Sequence, residues 1–192
     1  MVTLLVVLFF AYVIGAIPTG YIIAHNSGIS DIRTQGSGNI GATNVARILG
    51  VKYFFLVFFL DSAKAFLFLK VLALSGLSDL VLAFAAGALL VGNGFSVFLR
   101  FSGGKGVATA VGILAALAPH LLLVLFVPWA VLFLLTKTMG AACVGAALSL
   151  PFFSLLMADD SLVFYGTLFI AAWIFLRHVS NIRDYFKSSV TK

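Results

Sequence analysis

Glutamate is absent from this 192-residue chain, and its six acidic side chains are aspartates scattered over positions 31, 61, 79, 159, 160 and 184. That scatter leaves the polar loops without the paired carboxylates that hold a divalent cation, so no metal and no other cofactor is expected. A lone cysteine, Cys143, excludes an intramolecular disulfide and argues against a zinc cluster. No charged residue occurs among the first 24. The basic start of a signal peptide is therefore missing, and the stretch reads as a retained first span. Charge of either sign is scarce: 9% of residues are charged against 62% apolar, with a mean hydropathy of +1.19. Such a chain has too little polar surface to cover a soluble globule. The expectation is an all-α membrane protein, residues 1–192 forming a single polytopic domain, with no internal repeat and no low-complexity tract.

Read as spans, the apolar runs cover 2–24, 52–74, 79–97, 107–118, 120–136, 140–157 and 161–177, seven in all. The gaps between them alternate in charge. One set holds Arg33, Arg47, Arg100, Lys105, Lys137 and the tail residues Arg177, Arg183, Lys187 and Lys192, with Lys52 at a span edge; the other holds Asp79, His120, Asp159 and Asp160. Basic loops stay cytoplasmic, which puts the N-terminus outside and the C-terminus and the glycine-rich loops in the cytoplasm. One kinked helix through Pro119 and Pro128 would also cover 107–136. It would leave Lys137 and the basic tail outside, so two helices are preferred. The first of them is short, since 12 residues rise roughly 18 Å against a hydrocarbon core of about 30 Å. A net charge of +6 placed at membrane edges points to anionic headgroups and small phosphorylated substrates, not to nucleic acid.

Three polar segments fall on the basic side. Gly36, Gly38 and Gly41 open the first, where absent Cβ atoms let backbone amides turn toward a ligand. A helix starting near Gly41 would offer its first N–H groups to an anion. Asn44 and Arg47 would share one face, and Ala42, Val45, Ala46 and Leu49 a membrane-facing stripe. The plainer alternative is an interfacial helix whose Arg47 meets lipid phosphate. The second segment, Ser102-Gly103-Gly104-Lys105-Gly106-Val107-Ala108-Thr109, departs from a nucleotide-binding P-loop in glycine spacing, in Gly106 after the lysine and in the helix that precedes it. It reads either as a nest of amides around an ammonium, suited to a phosphate monoester, or as a flexible basic anchor. The third, Arg177-His178-Val179-Ser180-Asn181-Ile182, puts Arg177 and Asn181 on one helical face with His178 a step away. His178 is a candidate base or an interfacial bystander. Within the bilayer, Asp61 and Lys64 sit three apart on the second span and can neutralise each other, as a structural pair or as a device that orients loop cations.

Together, Ser37-Gly38-Asn39-Ile40-Gly41-Ala42-Thr43-Asn44-Val45-Ala46-Arg47, Gly103-Gly104-Lys105-Gly106-Val107-Ala108-Thr109 and His178-x-x-Asn181-Ile182 resemble the three signature segments of the bacterial acyl-phosphate:glycerol-3-phosphate acyltransferase family. Gly15-Ala16-Ile17-Pro18-Thr19-Gly20, Asp31-Ile32-Arg33 and Asp61-x-x-Lys64 extend the likeness along the whole chain. The chain departs from the family pattern at Asn93, where histidine is common, at Ser96, where proline is usual, and in having no glutamate anywhere. The resemblance implies a seven-span enzyme of the bacterial inner membrane, with its active site on the cytoplasmic face. Its substrates would be acyl phosphate and glycerol 3-phosphate, the latter held by Gly103, Gly104, Lys105, Gly106 and Thr109. Ser37, Gly38, Asn39, Thr43, Asn44 and Arg47 would serve the acyl phosphate head and the developing oxyanion, Ser37 and Arg47 catalytically. His178 and Asn181 complete the catalytic set, while Arg177, Asp61 and Lys64 join the substrate-binding group.

That reaction suits the residue chemistry. An acyl phosphate carries a good leaving group, so attack by the 1-hydroxyl of glycerol 3-phosphate needs orientation and charge stabilisation more than a protein nucleophile. Direct transfer without an acyl-enzyme is expected, with His178 or a substrate phosphate oxygen as base. The alternatives are a transporter of phosphorylated small molecules, for which Asp61 and Lys64 are the midplane candidates, and a phosphatase of lipid phosphates, for which the aspartates are too scattered.

Overall fold

In a computed structural model the described residues are 1–157 and 160–190, with side chains described as far as Ser180. Every regular element among them is helical. Apolar stretches long enough to cross a membrane are Val2–Asn26, Asp79–Leu99, Pro119–Thr136, Met139–Leu156 and Ser161–Ser180. Large side chains such as Phe9, Phe84 and Phe126 lie exposed on their surfaces, as a hydrocarbon solvent permits.

The chain divides into two compact units, Met1–Leu117 and Ala118–Lys192. In the first, α1 (Val2–Ala16) and α2 (Thr19–Asn26) replace the single helix expected over 2–24. The break has a local cause. Pro18 drives Ile17 out of the helical region, to φ −56° and ψ 114°, because its ring clashes with a helical predecessor. Two helices follow the first loop: α3 (Ala42–Leu49), and after the single residue Gly50, α4 (Val51–Leu74). The latter has the length of a span but carries Lys52, Asp61, Lys64 and Lys70. The unit closes with α5 (Asp79–Gly94) and α6 (Val107–Leu117), an apolar helix of 11 residues within the 107–118 stretch.

Glycine sets the packing here. Gly15 of α1 abuts the Leu89 backbone of α5, and Gly92 of α5 abuts the Tyr12 and Ala16 backbones, both too closely for any Cβ. Gly112 of α6 meets the Ser62 backbone of α4 in the same way. Ser62 Oγ donates to the Ala108 carbonyl at 2.9 Å across that contact. Small residues at such crossings let helices gain van der Waals contact where water supplies no driving force.

The second unit comprises α7 (Pro119–Thr136), α8 (Met139–Leu156) and α9 (Ser161–Val190). The 107–136 stretch is two helices, as the charge alternation required: α6 ends at Leu117, Ala118 is non-helical, and Pro119 opens α7 at a position where its missing N–H costs nothing. Helix α8 packs on both α7 and α9, and Leu132 of α7 fills the notch at Gly145. Asp160 caps α9 by accepting from the amides of Leu162 (2.8 Å) and Val163 (2.9 Å). The helix expected over 161–177 is longer in the structure, since α9 continues through the basic tail to Val190.

Candidate active site

Asn44 organises the first loop. Only 2% exposed, its carboxamide donates to the carbonyls of Gln35 (3.0 Å) and Asn39 (2.9 Å) and accepts from the Ser37 amide (2.8 Å) and Arg47 Nη1 (3.1 Å). The loop can wrap that closely because Gly36, at φ 59°, presents no Cβ to Asn44 Oδ1. Asn39 Oδ1 accepts from the Gly41 amide at 2.7 Å, a turn that delivers the chain into α3. Ser37, Thr43 and Arg47 remain exposed on the outer side. The helix start and the Asn44–Arg47 face match the sequence reading, but the apolar stripe does not look to the membrane. Val45 and Ala42 are buried in a cluster with Ala24, Ile32, Ile40, Val57 and Leu99, because α3 packs on α4.

Leu99 in that cluster belongs to the second loop, so the two loops lie against each other. Arg33 reinforces the junction: its Nη1 donates to the Leu99 carbonyl at 3.4 Å while its other nitrogens grip Asp31, the closest at 2.7 Å. Side-chain hydrogen bonds from Arg33 hold the Asp31 carboxyl below the usual carboxylate range, and the guanidinium is raised in return. Asp31 therefore stays ionised throughout the neutral range, and the grip is lost only as pH falls through its lowered value.

The second loop turns sharply before its glycines. Arg100 and Phe101 both adopt left-handed backbone, at φ 55° and 60°, a conformation non-glycine residues hold only when the surroundings impose it. Gly103 and Gly104 then press on the end of α5. A Cβ at Gly103 would strike the Asn93 and Gly94 carbonyl oxygens, and the Gly104 amide donates to the Asn93 carbonyl at 2.9 Å. Lys105 is half-buried, Gly106 turns at φ 84°, and α6 begins at Val107. Thr109, fully buried in its first turn, has an Oγ1 without a partner among the described residues.

Asp61 and Lys64 were expected among the substrate-binding residues. Their charged atoms are instead taken up by each other, at 2.7 Å, and by the break between α1 and α2. Lys64 Nζ donates to the Ile17 and Gly15 carbonyls, at 2.7 and 3.2 Å, and Thr19 Oγ1 donates to Asp61 Oδ1. A cation thus meets the carbonyl end of α1 and an anion meets the start of α2, each where the helix dipole favours it.

The third segment lies on α9 in the second unit. His178 is buried, with Nδ1 2.7 Å from the Ile174 carbonyl oxygen. A carbonyl only accepts, so Nδ1 carries the hydrogen and the neutral ring keeps its lone pair on Nε2. Arg177 is half-buried. The Asn181 side chain lies outside the described residues.

A family model described as glycerol-3-phosphate acyltransferase matches residues 5–188. The chain belongs to that family. A glycerol-3-phosphate acyltransferase of Aquifex aeolicus is 41% identical over 174 residues, covering 90% of each chain, and one of Syntrophotalea carbinolica is 38% identical over 184 residues, covering 95% of this chain and 94% of its own. Among solved structures, the glycerol 3-phosphate form of PlsY (YgiH), an integral membrane glycerol 3-phosphate acyltransferase, has a TM-score of 0.90 at 38% identity, covering 97% of this chain and 93% of that one. Its lysophosphatidic acid form has a TM-score of 0.88 at 37% identity. This glycerol-3-phosphate acyltransferase is therefore a multi-pass membrane enzyme, and the resemblance seen in its motifs is a family relationship.

Sequence reasoning placed the two loops of the acyltransferase on one side, and the structure joins them through Leu99 and Arg33. It gave no anchoring role to four residues. Thr19 and Pro18 gave a signal, a proline and a hydroxyl inside an apolar run. Asn93, whose backbone receives Gly104, gave only that of an amide within a span. Ser96, whose Oγ donates to the Ala16 carbonyl at 2.6 Å, stood out only as a departure from the family pattern.

Proposed function

We propose that the enzyme transfers an acyl group from acyl phosphate to the 1-hydroxyl of sn-glycerol 3-phosphate, giving lysophosphatidic acid and inorganic phosphate, the first step of phospholipid synthesis. The observation that carries this reading is the junction of two amide-rich loops, one bearing Arg47 and the other Lys105, through Leu99 and Arg33. Two phosphates brought together repel, and cations and backbone amides on adjoining loops offset that repulsion. The attacking hydroxyl oxygen bonds to the acyl carbon, the bond from that carbon to the phosphate oxygen breaks, and phosphate leaves with the electron pair. The hydroxyl proton passes to His178 Nε2 or to a substrate phosphate oxygen, and no acyl-enzyme forms.

In this reading Gly103, Gly104, Lys105, Gly106 and Thr109 hold glycerol phosphate. Ser37, Gly38, Asn39, Thr43 and Arg47 face the acyl phosphate head and the oxyanion, with Asn44 as the scaffold of that loop, while Arg177 and Asn181 assist from α9. Asp61 and Lys64 act through the helix break. The acyl tail lies among apolar helices in the bilayer. The chain functions as one polytopic domain of seven spans in the bacterial inner membrane, with α4 and α6 among the spans, the N-terminus outside and the glycine loops and C-terminus in the cytoplasm. The charge alternation supports that orientation.

Purified protein in lipid, given labelled glycerol 3-phosphate and palmitoyl phosphate, should form labelled lysophosphatidic acid, and acyl-CoA or acyl carrier protein should not replace the donor. Transport of the label into sealed vesicles without acylation would favour the transporter.

A further inference from the structure

Asn93 contributes two different things to the second loop. Its backbone carbonyl receives the Gly104 amide, at 2.9 Å. Its side chain is not used for that bond. The residue is 7% exposed, and its carboxamide faces the Cα of Gly104: a Cβ built there would lie 3.0 Å from Oδ1 and 3.7 Å from Nδ2. Among the described residues no hydrogen bond engages that carboxamide. Its polar atoms are not fully enclosed, unlike Thr109 Oγ1, so the carboxamide keeps access to a ligand beside Gly104. The contrast with Asn44, whose carboxamide makes four hydrogen bonds within the first loop, shows how this fold treats an amide used only as scaffold.

We propose that the Asn93 carboxamide is a substrate-binding group of the second loop, its Nδ2 donating to a phosphate oxygen of glycerol 3-phosphate held against Gly103, Gly104 and Lys105. This rests on the assignment of that loop to glycerol phosphate and adds a residue to it. The absence of side chains at 103 and 104 lets the loop backbone press on the end of α5, which brings the Asn93 carboxamide to the loop. A neutral donor also suits this place, because it adds a hydrogen bond to the phosphate without adding a charge beside Lys105.

The test uses the full-length protein in lipid bicelles, comparing Asn93→Asp and Asn93→Ala with wild type. Asparagine and aspartate have nearly the same shape, so the Asp variant keeps the packing while replacing the donor by an acceptor. Equilibrium binding of labelled sn-glycerol 3-phosphate is measured without donor, KM for each substrate is measured in turnover, and melting temperature controls for folding. The expected result is at least a tenfold loss of glycerol phosphate affinity in both variants, a matching rise in its KM, and a palmitoyl phosphate KM within about twofold of wild type. Unchanged glycerol phosphate affinity in either folded variant would overturn the proposal. So would a parallel rise in both KM values with a lowered melting temperature, which marks a purely structural role. A wild type that binds glycerol phosphate but does not acylate it would remove the transferase reading, and the variants' binding would still decide Asn93.

Discussion

Replacing Lys64 by methionine, which keeps the length and apolar stem of the side chain, should destabilise the protein by about 3–5 kcal/mol, the usual consequence of removing one partner from a buried ion pair. The lost contacts are specific: the bond to Asp61 at 2.7 Å and those to the Ile17 and Gly15 carbonyls at 2.7 and 3.2 Å. Asp61 is left with Thr19 alone, and an isolated aspartate within a span costs about 2.5–3.5 kcal/mol on insertion scales. Asp61→Leu should be comparably harmful, because it strands an ammonium. The double variant Asp61→Leu/Lys64→Met removes both charges. It should cost only about 1–3 kcal/mol, the value of the carbonyl and hydroxyl groups left without charged partners at the break. A coupling energy of at least about 2 kcal/mol is therefore expected between the two sites.

Reversible unfolding of the protein in mixed micelles, titrated with sodium dodecyl sulfate and followed by circular dichroism, supplies the four free energies. Wild-type stability in Lys64→Met, or a double variant whose loss equals the sum of the single losses, would refute the account of this pair as the clasp of the α1–α2 break. The double variant should also retain its KM for both substrates within about threefold. A large and selective rise would return these residues to the substrate.

Lys105→Ala should raise KM for glycerol phosphate by at least about tenfold with a smaller change in kcat, since it removes a ground-state charge contact; steady-state kinetics in lipid decide this. His178→Ala should lower kcat by about 10²-fold or more if the imidazole is the base, whereas near-normal turnover would assign proton removal to a substrate phosphate. Asn44→Ala removes four hydrogen bonds and should abolish turnover while exposing the first loop to limited proteolysis. Asp31 holds its charge below the usual carboxylate range, so the grip on Arg33 should persist through the pH at which an ordinary carboxylate protonates and fail only under more acid conditions. Asp31→Asn should weaken that grip at every pH, read as faster hydrogen exchange in the first loop.

Much of the fold was legible because in a membrane the few charges must go to specific places. Scarcity itself was the signal for Arg33, Arg47 and Lys105, and the division of 107–136 into two helices followed from charge alone before Pro119 was seen to open the second. The break at Ile17-Pro18 was less legible. A proline in a span can kink, break or do nothing, and which it does depends on whether something satisfies the freed carbonyls. Lys64 does so here from 47 residues away in sequence, at the Ile17 carbonyl. Helical periodicity likewise put Val45 on an apolar stripe but could not say whether lipid or protein covers it. Packing of α3 on α4 decided that.

The deepest limit lay in telling scaffold from reagent among the polar side chains. By residue type, Asn44 and Asn93 are equivalent, and so are Ser37 and Ser96. The structure separates them by how their hydrogen bonds are spent. Asn44 and Ser96 are buried and committed within the protein; Ser37 is exposed, and the Asn93 carboxamide faces the glycine loop. Committed groups make an active site rigid, because loop amides held by Asn44 need not reorganise as charge moves from the attacking oxygen to the leaving phosphate. Uncommitted groups then have a fixed frame from which to act. A membrane enzyme has particular need of that division. It cannot spread polar residues over its surface to tolerate a misplaced one, so a buried polar group is best placed where it closes a bond within the fold or meets a substrate.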